Sequence, residues 1–246
     1  RHLDPTSALD VVLGICTFRD RRVLVGLSFW GDAAPLIVML DRETGDVVQT
    51  RDGYGWGDRF RRCTSIGDTL YVLVMSGNPV PGSALSRVFA LDGDLNVVRA
   101  SDVYDRYYNA MATDGQFIYL GGVWWSDLDF DGRLDWVGVV DVLTPELWIV
   151  ASIPIYSSRR NNVTVVDVKV NPATRGVWVA GTVFSYDESS EDVKYHGNFV
   201  LVLDRTGDAR TVVIRESDEY YVGPAYGLAF DNDGSAYLLG REGVVK

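Results

Sequence analysis

The chain has 246 residues, of which 47% are hydrophobic, and it carries a formal net charge of −11. This length allows one large all-β domain with a full apolar core. The acidic surface disfavours binding to nucleic-acid phosphates. The longest apolar runs, 36–40 and 199–203, are too short to span a membrane. We therefore expect a single domain over residues 1–246, with no nucleic-acid partner and no membrane span.

Two features of the composition bear on the origin of the protein. Lysine and glutamine are rare, with three and two copies, and there are only two cysteines. Few Gln and Cys residues are common in heat-adapted proteins, although scarce Lys is not. The composition therefore predicts a thermophilic source. The chain opens Arg-His-Leu-Asp-Pro without Met, so we expect a processed or trimmed product.

Two kinds of hairpin alternate along the chain. The first has a turn of small residues before a strand that often ends in Gly, as in AMATDGQFIYLGG. In the second kind, a strand ends in an apolar residue and Asp, and a turn and another strand come after it, as in LIVMLDRETGDVVQT. Gly supplies the positive φ that such turns require. The first kind occurs at 14–28, 62–77, 110–122, 168–182 and 228–240, and the second at 36–50, 87–100, 137–151 and 198–214, with marker residues Asp41, Asp92, Asp141 and Asp204.

This alternation predicts an all-β β-propeller with five four-stranded blades. A period near 50 residues with four strands per unit is typical of propellers. A β-sandwich is the alternative, but it does not explain the recurrence of two hairpin types. The last blade is incomplete, because only six residues follow the strand that ends at 240. We expect residues 1–8 to close it; the alternative is self-association, with a strand donated to the open blade edge by a neighbouring molecule.

Several of these segments resemble known propeller repeats. TDGQFIYLGG, and GVWVAGTV followed by GNFVLVLDRTGDA, resemble the β-propeller repeats of bacterial and archaeal surface proteins. There an xDGxxYxxG hairpin precedes an FVxxLDxxG hairpin. LDRETGDVV is similar to repeats of quinoprotein-like propellers. The resemblance implies a fold but no activity, because propellers carry many unrelated functions.

The two cysteines occupy matching places in the first two hairpins. Cys16 and Cys63 are each followed by Thr, and each lies seven residues before the next apolar run. We expect two buried thiols, because Cys packs as a small hydrophobic residue. A disulfide between neighbouring strands is the alternative.

The sequence DLDFDGRLD predicts a calcium site in a long loop between strands. Oxygen ligands at alternating positions wrap a hard cation, and Gly at the sixth position permits a tight turn. The motif is no EF-hand, because Gly138 stands at the twelfth position. It resembles the calcium loops of integrin α-subunit propellers, and a solvated acidic loop is the alternative. The expected Ca²⁺ ligands are Asp127, Asp129, Asp131, the carbonyl of Arg133, and Asp135.

Aromatic residues recur in the connections between blades. Each of four connections carries a Tyr, and three of these are followed by Arg. Such residues could form a carbohydrate platform, with rings that stack on sugars and guanidinium groups that bond hydroxyls. We favour structural packing between blades. The residues are Tyr54, Tyr104, Tyr156 and Tyr220, with Arg59, Arg106 and Arg159.

Catalysis has little support in the sequence. The only histidines are His2, near the terminus, and His196, which we place in a polar loop. The sequence has no nucleophile-elbow or phosphate-loop motif. We expect an exported, extracellular or cell-surface propeller that is stabilised by calcium and binds a carbohydrate or protein on its loop-rich face. The alternative is a carboxylate-dependent glycosidase or lyase on that face. Its candidate carboxylates are Asp58, Asp105 and Glu219.

Overall fold

The structure is a computed structural model, and its described residues form nineteen β-strands in five sheets. No helix among these residues is long and apolar enough to cross a membrane. The described residues are 11–28, 34–52, 59–77, 83–127, 132, 134–159, 161–187, 192–203, 212–214 and 224–246.

The chain divides into two compact units. The first comprises Arg1–Tyr107 with Pro145–Trp148, and the second comprises Tyr108–Thr144 with Ile149–Lys246. The expectation of one domain over the whole chain stays a prediction.

The first unit contains two four-stranded antiparallel sheets. Each runs in chain order, which confirms the hairpins predicted up to residue 100. The first strand of the second sheet packs against three strands of the first sheet. The strands are β1 (Val11–Phe18), β2 (Arg21–Ser28), β3 (Ala34–Asp41), β4 (Val47–Asp52), β5 (Arg59–Ile66), β6 (Thr69–Ser76), β7 (Leu85–Leu91) and β8 (Val97–Ala100).

The second unit contains the other three sheets. In chain order they have five, three and three strands. The first strand of each later sheet again packs against the sheet before it. The strands are β9 (Tyr107–Thr113), β10 (Ile118–Ser126), β11 (Asp135–Leu143), β12 (Ile149–Ser157), β13 (Asn162–Val170), β14 (Val177–Asp187), β15 (Asp192–Leu203), β16 (Val212–Ile214), β17 (Ala225–Phe230), β18 (Ala236–Gly240) and β19 (Gly243–Val245).

The prediction of a hairpin over residues 198–214 was wrong. β16 does not pair with β15; it lies parallel to β12, with Ile155 opposite Val212 and Ser157 opposite Ile214. Its Val-Val-Ile sequence has high β-propensity. The pairing covers the outer edge of β12, where backbone groups would otherwise lack a partner strand.

The last sheet obtains its third strand from the residues that follow it. β19 pairs antiparallel with β18, with Leu239 opposite Val244. The edge of β18 is therefore covered by the same chain, so a strand from a neighbouring molecule cannot pair there. Residues 1–8, expected to close this blade, lie outside the described residues.

The marker aspartates are not structurally equivalent, contrary to our expectation. Asp41 ends β3 and accepts backbone N–H groups of its turn, and Asp92 does the same after β7. Asp141 instead lies within β11 and is fully buried. The hydroxyls of Tyr108 and Ser152 donate to its two oxygens, which is the partnership that a buried carboxylate requires. Asp204 lies outside the described residues.

The cysteines form a disulfide, so our expectation of two free thiols was wrong. Cys16 in β1 and Cys63 in β5 are bonded, with their Cα atoms 5.7 Å apart. β5 packs directly against β1, which brings the two thiols of these matching positions within bonding distance. The bond therefore ties the first strands of the first two sheets together.

Loss of this disulfide should lower the free energy of unfolding by about 2–4 kcal/mol, because the bond closes a long loop in the unfolded chain. The measurement is urea unfolding of the oxidised protein, of the protein in dithiothreitol and of the Cys16→Ala/Cys63→Ala variant. The variant should not respond to dithiothreitol. Two titratable thiols in the untreated protein would contradict the pairing.

Replacement of Tyr108 by Phe should destabilise the second unit by about 1–3 kcal/mol, because the buried Asp141 loses a donor. Tyr237→Phe is the matched control. Its hydroxyl donates to Asp231, a turn aspartate at the surface, so its loss should cost less. Thermal unfolding of both variants measures the difference. Equal melting temperatures would show that the hydroxyl of Tyr108 does not support Asp141.

Candidate functional site

The predicted calcium loop connects two strands that are paired up to its base. Ser126, the last residue of β10, lies opposite Asp135, the first residue of β11. Asp127 and Asp135 therefore flank the mouth of a hairpin. Asp127 directly follows β10 and Asp135 begins β11, so the pairing keeps the first and last acidic residues of the motif at the ends of adjacent strands.

A hydrogen bond closes the loop from inside. The Asp127 carboxylate accepts the backbone N–H of Gly132 at 3.0 Å. Gly132 has a φ of +86°, a conformation that residues with a Cβ rarely adopt. The backbone of Gly132, at the sixth position of the motif, therefore lies against the first carboxylate.

The structure describes only part of the expected ligand set. Asp127 and Asp135 are half-buried, whereas Asp129, Asp131 and Arg133 lie outside the described residues. In the part of the chain that the structure describes, no group of three or more His, Cys, Asp or Glu residues could hold a metal ion. The calcium assignment therefore stays a prediction.

A row of four aromatic side chains begins beside the loop; we call it the aromatic row, and it consists of Trp125, Trp136, Phe184 and Tyr195. Trp125 and Trp136 are cross-strand partners, and their ring centroids lie 6.3 Å apart. Phe184 extends the row to the next sheet, 5.5 Å from Trp136, and Tyr195 lies 6.4 Å beyond it. Tyr195 is 38% exposed, so the row ends at the surface. Sequence analysis missed this row, although the tryptophans that flank the loop are a signal for it.

The aromatic row also contains an unsatisfied polar group. The indole nitrogen of Trp125 is buried and has no hydrogen-bond partner among the described residues. Buried polar groups usually have partners.

Two of the four connecting tyrosines are described, and both are half-buried. Tyr104 pairs its backbone with Ser86, and its hydroxyl donates to the Leu147 carbonyl at 3.5 Å. Tyr156 lies within β12. Tyr104 thus makes the packing contacts that we favoured. Tyr54 and Tyr220 lie outside the described residues, and a ligand role for the set stays a prediction.

Each of the three arginines near these tyrosines takes part in a hydrogen bond, Arg59 through its side chain and Arg106 and Arg159 through their backbone. The Arg59 guanidinium donates to the Gly77 carbonyl at 2.9 Å. The Arg106 carbonyl accepts the Ser86 hydroxyl at 2.7 Å, and the Arg159 N–H donates to the Ser157 hydroxyl at 3.1 Å. These contacts order the connections in which the arginines lie.

Of the candidate catalytic carboxylates, only Asp105 is described, and it is exposed. Asp58 and Glu219 lie outside the described residues. His196 belongs to β15 and not to a loop, contrary to our expectation, and its Nε2 atom lies 2.8 Å from the Ser185 hydroxyl. β14 and β15 extend further into the acidic segment between them than the sequence pattern indicates.

Comparison with solved structures identifies the fold. The WD40 domain of Pan2 from Neurospora crassa has a TM-score of 0.55 at 12% identity, over 94% of this chain and 60% of that one. The Dos1 propeller has a TM-score of 0.55 at 7% identity, over 97% and 60%. The chain has the β-propeller fold. Its five sheets are the five blades, as predicted.

A third similar structure is a complex. KlAtg21 bound to the coiled coil of AgAtg16 has a TM-score of 0.52 at 11% identity, over 98% of this chain and 66% of that one. The chain thus spans 60–66% of the length of these structures. Identities this low show the fold alone. No protein-family model and no curated protein matches the chain.

Proposed function

We propose that this protein is an exported, calcium-stabilised β-propeller that acts as a binding or surface-scaffold module. The propeller fold suggests such a module, because its rigid blades present loops of variable length. The observation that carries the calcium part is the Asp127–Gly132 hydrogen bond at the mouth of a paired hairpin.

Calcium would be held by the carboxylates of Asp127, Asp129, Asp131 and Asp135 and by the carbonyl of Arg133. The ion would offset the mutual repulsion of four carboxylates within nine residues. It would also fix the loop from which the aromatic row extends. The bound ion is thus a structural element of the binding surface.

Export is supported by the disulfide between Cys16 and Cys63, because disulfides persist mainly in oxidising compartments. Intracellular proteins of hyperthermophiles are the known exception, and the composition predicts a thermophilic source. The sequence Asn162-Val163-Thr164 matches the acceptor pattern for N-glycosylation, but it gives no support for export, since glycosylation favours surface loops. Asn162 lies in β13, and its side-chain oxygen accepts the Trp136 N–H.

The proposed ligand on the loop-rich face is a carbohydrate or a protein. Aromatic side chains beside a calcium loop suit a sugar, because rings stack on its apolar face while the ion binds its hydroxyls. For KlAtg21 the described partner is a coiled coil. Self-association would use the outer edge of β19, the terminal strand of its sheet among the described residues.

Removal of calcium should lower the melting temperature of the oxidised protein. Ligand at about 100 times its Kd stabilises the folded state by about 2.7 kcal/mol. Thermal unfolding in excess EDTA and in excess CaCl2 measures this difference. Asp127→Asn keeps an acceptor for Gly132 but removes a charged ligand, so most of the calcium response should disappear.

Asp94→Asn is the control, because Asp94 is an exposed residue of another turn. It should keep the full calcium response. Identical melting curves of the unsubstituted protein in EDTA and CaCl2, together with no heat of binding on calcium titration, would contradict the calcium proposal. They would leave the binding role of the propeller standing.

A further inference from the structure

A groove in the first unit combines an exposed tryptophan with charged side chains. Two adjoining cavities of about 330 and 360 Å³ share Arg99 and Glu146 in their walls. One wall is β8, and the other is the turn 145–148 between β11 and β12. We call this the Trp148 groove, and its principal residues are Val98, Arg99, Asp102, Glu146 and Trp148.

The turn that carries Trp148 is anchored. The Tyr71 hydroxyl donates to the Pro145 carbonyl at 3.1 Å, and the Tyr104 hydroxyl donates to that of Leu147 at 3.5 Å. Burial raises the pKa of Tyr71, so this donor keeps its proton through neutral pH. The Leu147 side chain is buried. Its φ is +71°, a backbone conformation that residues other than Gly uncommonly adopt. The chain therefore fixes its backbone at this position immediately before the tryptophan.

Trp148 is 67% exposed despite its fixed backbone. A large apolar side chain at the surface is unfavourable unless something covers it, and tryptophan is enriched among residues that dominate binding energy. Because the backbone of the turn is already fixed, the turn loses little conformational entropy when a ligand binds. The groove is thus organised before any ligand arrives.

The charges around the indole favour a cation. Glu146 and Asp102 line the same cavity as Trp148, and both are exposed. A Lys or Arg side chain above an indole gains a cation–π interaction, and nearby carboxylates add charge-assisted hydrogen bonds. The net charge of −11 steers basic partners toward the protein. Arg99, in the wall of both cavities, offers a donor for backbone carbonyls of the ligand.

The strand edge in the wall of the groove favours an extended chain. β8 is the terminal strand of its sheet among the described residues, and Val98 on it is 60% exposed. The outer edge of β12 is an example within this chain, because β16 pairs with it as an added parallel strand. Addition of a peptide strand to a sheet edge is a common recognition mode.

We propose that the Trp148 groove binds an extended basic segment of a partner protein, with a Lys or Arg side chain over the Trp148 indole between Glu146 and Asp102. The residues of the groove belong to the first unit, whereas those of the calcium loop belong to the second. The groove is therefore a second binding surface, and its function does not depend on calcium.

The test uses two acetylated, amidated heptapeptides of alternating Thr and Val, one with a central Arg and one with a central Gln. Each is titrated into the oxidised full chain, and the Trp148 indole resonance is followed by NMR. The resonance is assigned with Trp148→Phe. The Arg peptide should bind about 2- to 30-fold more tightly, because a cation–π contact contributes about 0.5–2 kcal/mol.

Substitutions should remove this preference. Trp148→Ala and the double variant Glu146→Gln/Asp102→Asn should both reduce the difference between the Arg and Gln peptides toward zero. Tyr226→Ala is the matched control, because Tyr226 is 64% exposed in the second unit. It should leave both affinities unchanged. Melting temperatures establish that each variant is folded, and Trp148→Phe serves if Trp148→Ala does not fold.

Three results would overturn the proposal. The first is equal affinity for the Arg and Gln peptides. The second is a Trp148 resonance that shifts with a soluble oligosaccharide such as cellohexaose but with neither peptide, which would identify a sugar site. The third is a concentration-dependent dimer that Trp148→Ala abolishes, which would show that the groove is covered by a second copy of this chain. A loss of calcium binding without loss of peptide binding would affect only the proposal about the calcium loop.

Discussion

In five hairpin turns among the described residues, backbone N–H groups donate to a side chain at or just after the end of the preceding strand, and these bonds set the structure of the turns. One such side chain accepts two backbone N–H groups of its turn and so fixes the length and conformation of that turn. Because side chains alternate between the faces of a strand, a slip of one residue would turn the apolar face of the next strand toward solvent. The register of the blades therefore depends on these bonds. The accepting residues are Asp41, Asp92, Asp114, Asn171 and Asp231.

The sequence was sufficient wherever structure depends on such local chemistry. All five hairpins of the first kind form as predicted, because their turn residues lie next to the strands that they connect. Non-local partners were not predictable. Asp41 and Asp141 look alike in sequence, but hydroxyls from two other strands keep Asp141 buried. The same limit applies to β16, whose three residues could pair with any exposed strand edge.

The candidate sites also differ in whether they depend on local or non-local contacts. The acidic loop could be recognised from spacing, because its residues act on one another over nine positions, and Asp127 does contact Gly132. The aromatic row and the Trp148 groove depend on packing between segments that are distant in sequence. Trp136 meets Phe184 of the next blade, and the turn that carries Trp148 is held by Tyr71. The aromatic row belongs to the second unit and the Trp148 groove to the first.

The most direct test of the turn interactions is an NMR titration of the aspartate side-chain carboxyl carbons. The account predicts that Asp41, Asp92, Asp114 and Asp231 titrate below the ordinary pKa of 3.8. Backbone hydrogen bonds, above all from Thr44, Asn96 and Ser235, lower the pKa of Asp41, Asp92 and Asp231 respectively. For Asp114 burial raises the pKa, but the bonds from Phe117, Gln116 and Tyr119 together outweigh it. The stabilisation is thus present above pH 3.8 and is lost as the pH falls through the lower folded pKa values. Ordinary pKa values for these four carboxyls in the folded protein would contradict the claim that they hold the turns.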